Sequence, residues 1–373
     1  MPKGKAAVFV EPYHFEIVEL PTPPVEPDGV LVKITAAGIC GSDLHYWRGE
    51  MKPMLRGAPG PVILGHEMTG HVHSLGKNIT TDSLGNPLKE GDRVVFTYFF
   101  PCRRCYVCLR GDLNNCPNRF RFRASIEEYP YCSGGYAEYY YLNPGHFIFK
   151  VPDTDVSDAA LTPVNCAVAQ VIYGLNQANM RMGDYVVIQG AGGLGIYATA
   201  AADDMGAGRI IAIDGQESRL ELARQCGADY TININEYDTP EARVERVMEL
   251  TDGRGADVVV EVVGYPQVVP EGIQMLRPAG TYVEIGNIWP DSNVTLDMSK
   301  ILWKVKNIAA TAHYHPMTLP VALDFLLRTR DRYPLTEVMS HPFPLEQVGE
   351  AFQQAEWAGK EQGTKITRAY LTP

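Results

Sequence analysis

The stretch from Tyr185 to Asp214 constrains this chain more than any other. A short apolar strand, Tyr185 to Gln189, runs into Gly190-Ala191-Gly192-Gly193-Leu194-Gly195. A helix-forming run follows. A second apolar strand, Arg-Ile-Ile-Ala-Ile-Asp214, then ends on an acid nineteen residues after Gly195. Strand, glycine turn, helix, strand and terminal carboxylate, in that order, make a dinucleotide-binding unit. The glycines permit a tight turn, the close approach of a pyrophosphate and the packing of helix on sheet. The helix N-terminus adds N–H donors and a partial positive charge. Asp214 would accept hydrogen bonds from ribose hydroxyls and repel a 2′-phosphate, so the cofactor reads as NAD. Gly190, Gly192, Gly193, Leu194, Gly195, Asp214 and Arg219 are the candidate cofactor-binding residues. A turn with no ligand is the bland alternative, and the surrounding strand and helix pattern argues against it.

The same rhythm continues from about 165 to 312. Arg-Ile-Ile-Ala-Ile-Asp leads to Glu-Ser-Arg-Leu-Glu-Leu-Ala-Arg-Gln; then come Asp229 to Asn235, a helical run from Pro240, Ala256 to Gly264 and Thr281 to Asn287. Short, nearly all-apolar strands between helices predict a parallel sheet covered on both faces. Before residue 150 the texture differs. Short β-rich runs such as Gly29 to Cys40, Asp92 to Phe100 and Gly135 to Leu142 alternate with turn clusters, which predicts an all-β body. The tail from about 313 holds one helical run and no apolar core of its own, so it is expected to fold back onto the first domain.

With 373 residues, two domains are expected. The net charge of −11 is a poor match for a nucleic-acid binder. The N-terminus lacks the basic start and apolar run of a secretory leader, and no apolar stretch approaches membrane-spanning length. A cytoplasmic protein is therefore expected. In a reducing compartment its eight cysteines would be free or metal-bound rather than paired.

Four of those cysteines, Cys102, Cys105, Cys108 and Cys116, fall within fifteen residues. Thiolates at this spacing close a tetrahedron around one zinc, and a closed shell makes the site structural. A second signal is split. Cys40 lies in Cys-Gly-Ser-Asp-Leu-His45, His66 and Glu67 lie in Gly-His-Glu-Met-Thr-Gly70, and Cys166 lies in Pro163-Val-Asn-Cys166. One histidine and two cysteines would leave a fourth zinc position open for substrate. Each piece alone also reads as a buried filler, and spacing does not show that they converge. In the segment around Cys166, Asn165 is a good N-cap candidate, which would put Cys166 in the first turn of a helix.

The Gly65-His66-Glu67-x-x-Gly70-x5-Gly76 string, the four-cysteine lobe and the glycine turn together resemble the zinc-containing medium-chain alcohol dehydrogenases, over essentially the whole chain. Gly134 to Tyr139 and Leu222 to Asp229 are further similar stretches. The resemblance implies an α/β protein: a GroES-like β-rich catalytic domain, 1–165 with 313–373, and a Rossmann doubly wound parallel sheet, 166–312. It implies that Cys40, His66 and Cys166 hold a catalytic zinc and that the lobe holds a second one. Glu67 would be an acid beside that zinc, Asp43 the partner of its histidine, and Ser42 and His45 a proton relay. It further implies a homodimer or homotetramer that moves a hydride between a small alcohol or carbonyl compound and NAD. Some polyol dehydrogenases of the family carry glutamate where Cys166 stands, yet Gly-Ser-Asp-Leu-His45-Tyr-Trp is similar to theirs; a secondary or polyol-like alcohol is expected ahead of a short primary one, while secondary, polyol, aromatic and terpenoid alcohols all remain open. The alternatives are a zinc-free quinone or enoyl reductase on the same fold, which would lack the catalytic ligands, and a non-enzymatic dinucleotide-binding protein.

Other features read blandly. His45 is either a relay member or an ordinary surface histidine. Cys132 and Cys226 read as buried thiols. Tyr98, Phe99 and Phe100 are core or pocket wall. Tyr139 to Tyr141 read as strand, and the Arg119, Arg121 and Arg123 alternation reads as a solvated strand face.

Overall fold

A computed structural model describes residues 3–51, 60–119, 125–358 and 368–373. The chain from 185 to 310 forms a six-stranded, fully parallel sheet. Its strands are Tyr185–Gln189, Arg209–Asp214, Tyr230–Asn233, Ala256–Glu261, Leu276–Glu284 and Asn307–Ala310. Numbered along the chain, their order across the sheet is 3-2-1-4-5-6. The order reverses between Tyr185–Gln189 and Ala256–Glu261, which is the switch point where sheets of this topology bind ligands beyond the carboxyl ends of their strands. Alternate side chains explain why both faces are covered. Val186, Ile188, Ile210, Ala212, Val258 and Val260 join one apolar cluster, whereas Val187, Ile211, Ile213 and Val259 join another. Two boundaries differ from the sequence reading. The strand expected from Thr281 begins at Leu276, and Asn307–Ala310 was not foreseen. That strand is mostly exposed and lies at the sheet edge, so burial left no apolar signature on it.

The N-terminal half is β-rich. Val30–Gly38 is its central strand, pairing with both Glu67–Leu75 and Tyr139–Leu142. Arg93–Phe96 and Ile148–Lys150 continue the sheet. Lys3–Glu11, His14–Pro21 and Val62–Ile63 make a second, smaller sheet. The tail returns to this half. Arg368–Thr372 pairs with the end of Val30–Gly38, Leu371 facing Ala37 and Tyr370 facing Gly38, and Met339–Pro344 adds beside it. The helix Thr318–Thr329 also reaches the parallel-sheet half, where Arg328 and Arg332 bond Asp204 and Asp203. Tyr140 and Tyr141 are buried within their strand. The Arg121 and Arg123 reading lies outside the described residues. Among the described residues no helix is long and apolar enough to cross a membrane.

Candidate active site and metal centres

Sheet register brings the split ligands together. In the antiparallel pair Val30–Gly38 and Glu67–Leu75, Gly38 faces Glu67. Cys40, two residues past the end of one strand, therefore meets His66, one residue before the start of the other. Asn165 then docks the third piece. Its side chain accepts from the Met68 N–H (3.4 Å) and donates to the Met68 and Phe96 carbonyls (3.3 and 3.2 Å). This small amide satisfies three buried backbone groups and places Cys166 beside the strand end. The helix that follows is Ala167–Gln177, with Cys166 itself at the N-cap position and Asn165 closing the 3₁₀ turn before it. Asn165 is thus not the cap: its amide is spent on the sheet.

Cys40, His66, Glu67 and Cys166 are all buried, and their ligating atoms lie within 4.8 Å of one another. The electrostatics fit a cation among them. Contact with the Cys166 thiol, with His66 adding its charge, holds Cys40 well below the usual thiol range. The same contact, with burial, pushes Cys166 well above it. Burial opposes protonation of His66, yet Asp43 and Cys40 lift it to about 10. The imidazole and the thiol thus favour each other's charged form, which is the environment a metal cation would enter.

The surrounding shell orients these groups. Asp43 is fully buried and sits in the helix Gly41–Trp47. Its carboxylate accepts from the Cys40 N–H (3.3 Å), the Gly65 N–H (3.4 Å) and the Tyr136 hydroxyl (2.9 Å), and lies 3.6 Å from His66 Nδ1. It thereby holds both the cysteine turn and the histidine ring. Ser42 is half-buried in the first turn of the same helix. Tyr98 is buried, its ring 4.9 Å from that of His66 and its hydroxyl against the Cys166 thiol. It is core and site wall at once.

Arg368 was missed by sequence reasoning. It lies in the last strand, with no motif around it, and reaches Glu67 Oε2 at 2.5 Å. Burial raises the Glu67 pKa to about 7 against the pull of this arginine. The same side chain packs on the glycine turn, since a Cβ at Gly193 would stand 2.6 Å from Arg368 Cδ. One residue therefore touches both the ligand cluster and the dinucleotide turn. Tyr136 was noted only as part of a similar stretch, and its bond to Asp43 needs the fold to be seen.

The turn itself has the expected geometry. Gly190 has φ +94°, a left-handed conformation, and a Cβ on Gly195 would meet the Gly190 oxygen at 1.8 Å. A Cβ on Gly192 would meet nothing within 4 Å, which leaves room above the turn. The helix Gly193–Asp204 begins there with no side-chain cap, so its first N–H groups are free to meet an anion. Leu194 is half-buried in its first turn. Asp214 accepts from the Ala191 and Gln216 N–H groups at 2.8 and 2.9 Å, and Arg219 lies 3.8 Å from it.

The four-cysteine lobe is a separate cluster. Its ligating atoms also lie within 4.8 Å of one another. Four sulfurs about 2.3 Å from one centre would stand about 3.8 Å apart. Cys116 Sγ is 3.5 Å from Cys102 Sγ and 3.9 Å from Cys105 Sγ, which fits a zinc. The thiols are otherwise unequal. Backbone N–H donors, Arg104 first, lower Cys102 to about 6, while burial and the neighbouring sulfurs raise Cys108 to about 12. All eight cysteines are free of disulfides. Burial raises Cys132 and Cys226 to about 12, so neither is an activated thiol.

His45 is not a plain surface residue. Its side chain is 17% exposed, bonds Glu50 through Nδ1, and stacks on Trp289 from the parallel-sheet half with centroids 4.7 Å apart.

Comparison with known proteins agrees with this geometry. The family described as "Alcohol dehydrogenase GroES-like domain" matches residues 26–153, and "Zinc-binding dehydrogenase" matches 193–328. The chain is 34% identical to 5-exo-hydroxycamphor dehydrogenase of Pseudomonas putida, covering 95% of this chain and 96% of that one. It is 32% identical to erythritol/L-threitol dehydrogenase of Mycolicibacterium smegmatis, covering 92% and 91%. The solved alcohol dehydrogenase of Thermotoga maritima superposes with a TM-score of 0.90 at 29% identity, over all of both chains. The chain belongs to the zinc-containing medium-chain alcohol dehydrogenase family, as an α/β oxidoreductase acting on CH–OH groups with a nicotinamide cofactor.

Proposed function

We propose that this enzyme oxidises secondary alcohols or polyols with NAD, using a zinc held by Cys40, His66 and Cys166, while a second zinc in the Cys102, Cys105, Cys108 and Cys116 lobe is structural. The carrying observation is the buried convergence of Cys40, His66, Glu67 and Cys166, joined to the glycine turn by Arg368. The convergence also speaks against a zinc-free reductase. The relatives' names, a hydroxylated camphor and a polyol, favour a secondary or polyhydroxylated substrate.

When bound, the zinc would polarise the substrate oxygen and the nicotinamide would supply the hydride chemistry. The chain's own residues do the rest. Asp43 holds the His66 ring and the Cys40 turn in place. Glu67 stays beside the ligands, tethered by Arg368. The Ser42 hydroxyl takes the proton of the substrate alcohol, and His45 carries it toward solvent. Gly190, Gly192, Gly193, Leu194 and Gly195 admit the pyrophosphate. Asp214, with Arg219 held beside it, faces the adenosine ribose and disfavours a 2′-phosphate. Asp214→Ser is expected to narrow the preference for NAD, read as the ratio of kcat/KM with the two cofactors.

The catalytic domain comprises 1–165 and 313–373, and 166–312 binds the dinucleotide. A second copy of the chain is the expected partner. Among the described residues no strand pairs with the outer side of the sheet edge Asn307–Ala310, and Met298, Leu302, Trp303, Val305 and Ile308 on or beside it are 50–84% exposed. Trp303→Glu is expected to yield monomers in sedimentation; an unchanged mass would refute this surface. The free thiols and acidic charge suit a cytoplasmic enzyme.

The deciding experiment is a panel of alcohols followed by NADH absorbance, with zinc measured on the same sample. Turnover of secondary alcohols or polyols with two zincs per chain is expected. Full activity with one zinc, or no turnover of any alcohol, would overturn the proposal.

A further inference from the structure

We propose that Glu50, clamped by Arg48, is the outlet for the proton that His45 carries, so that the relay leaves the cleft through a carboxylate. This rests on the reading of Ser42 and His45 as a relay. His45 Nδ1 lies 2.5 Å from Glu50 Oε2. In the tautomer that bonds the Glu50 carboxylate, which can only accept, Nδ1 carries the proton and Nε2 of the neutral ring is left to accept; the Arg48 Nη2 contact with Nδ1 is then one of charge and not a hydrogen bond. The stack on Trp289, itself edge-on to Tyr265 at 6.4 Å, resists rotation of the ring. The imidazole is only 17% exposed, whereas Glu50 is 42% exposed. The carboxylate is therefore the wetter end of the pair.

Arg48 keeps Glu50 from retaining the proton: with His45 it outweighs burial and holds the Glu50 carboxyl below its usual range, so a proton on Oε2 passes on to water. It grips Glu50 with two bonds, Nε to Oε1 at 3.0 Å and Nη2 to Oε2 at 3.1 Å, and is itself 3.8 Å from Glu356 of the helix Val348–Ala358. Its Nη2 also stands 3.0 Å from His45 Nδ1. There its positive charge disfavours a second proton on the ring and favours release. Among the described residues the other charge acting on the ring is that of Cys40, and the parallel-sheet half presents the uncharged Trp289. The step balances. A proton arrives at Nε2, the Nδ1–H bond breaks, and that proton forms an O–H bond on Glu50 Oε2. The ring is neutral again in its other tautomer. Glu50 then yields the proton to water; once product and cofactor have left, water takes the proton on Nε2 and returns one to Nδ1, which restores the first tautomer with one proton delivered to solvent. Glu50 acts through His45, so it is a positioning residue and not a catalytic one.

The test compares Glu50→Gln, which keeps shape and a hydrogen bond but removes the base, with His45→Gln in the zinc-loaded enzyme. Both are expected to slow kcat for alcohol oxidation about tenfold below neutral pH, less at high pH, with KM for NAD unchanged. Added imidazole buffer should restore much of the loss. If His45→Gln changes the pH profile and Glu50→Gln does not, the outlet is refuted while the relay stands. A Glu50→Gln loss that is equal at every pH and not rescued by buffer marks a structural role and also refutes it. If His45→Gln leaves the profile unchanged, the relay reading falls and the outlet with it.

Discussion

The cysteine lobe takes its four sulfurs from one loop, Cys102 to Cys116, whereas the cleft cluster collects its donors from Cys40 to Cys166. The two differ in surroundings as well as in span. In the lobe, Cys102 and Cys105 are half-buried, and the neighbouring Tyr106 and Leu109 are 74% and 76% exposed. On the proposed reading, so small a loop with so little buried apolar surface would rely on a metal to hold its shape. In the cleft every donor is buried, and strand register, the Asn165 amide and Asp43 have already positioned them. There the fold makes the site, and on the proposed reading a metal bound in it would be free to do chemistry. The proposed contrast is between a metal that would build structure and a structure that builds a metal site.

The largest effect should come from breaking the cleft. Cys166→Ala is expected to lower kcat/KM by roughly 1000-fold, in line with losing several kcal/mol of Lewis-acid stabilisation. The lobe metal should stay, so elemental analysis should fall from two zincs toward one. Glutamate at 166 should rescue part of the activity, since carboxylate also binds zinc. If Cys166→Ala keeps both metals and most activity, the third donor is another residue, with Glu67 the first to test.

A smaller loss is expected one layer out. Asp43→Asn keeps the shape but removes the charge facing His66, and should cost about 10–100-fold in activity or metal affinity. An unchanged metal affinity and rate would mean that the sheet alone positions the ligands.

Cys105→Ser should invert the pattern. A loss of roughly 3 kcal/mol would lower Tm by about 6–12 °C, with the lobe zinc gone. Activity per folded molecule should stay within about threefold, since the cleft donors do not depend on this loop. Loss of activity in step with the cleft mutants would erase the distinction between the sites.

The finest test concerns packing. Leu109→Ala in the exposed lobe should change stability by about 0.5 kcal/mol or less. Phe99→Ala, fully buried against Tyr98, His313 and Tyr314, should cost about 3–5 kcal/mol, measured by denaturant unfolding. Comparable losses at the two positions would show that the lobe has a packed core after all.

What was legible in the sequence follows the same division. The lobe, the glycine turn with Asp214, and the strand and helix alternation are local: each needs neighbouring residues and short-range geometry, so residue type and spacing carried them. The central strands were readable because burial on both faces leaves an uninterrupted apolar run. Asn307–Ala310 was not, because an exposed edge strand carries no such pattern. Cys40, His66 and Cys166 were nameable from motifs, but their meeting depends on Gly38 facing Glu67 and on Asn165 spanning two strands, neither of which spacing encodes. Arg368, Tyr136 and the Trp289 stack on His45 were invisible for the same reason. Amino-acid order by itself determined which short pieces could bind a dinucleotide or a zinc. Only the tertiary structure decided which side chains stand within bonding distance, because hydrogen bonds and ion pairs act over a few ångströms of space while the residues that make them lie up to three hundred positions apart along the chain.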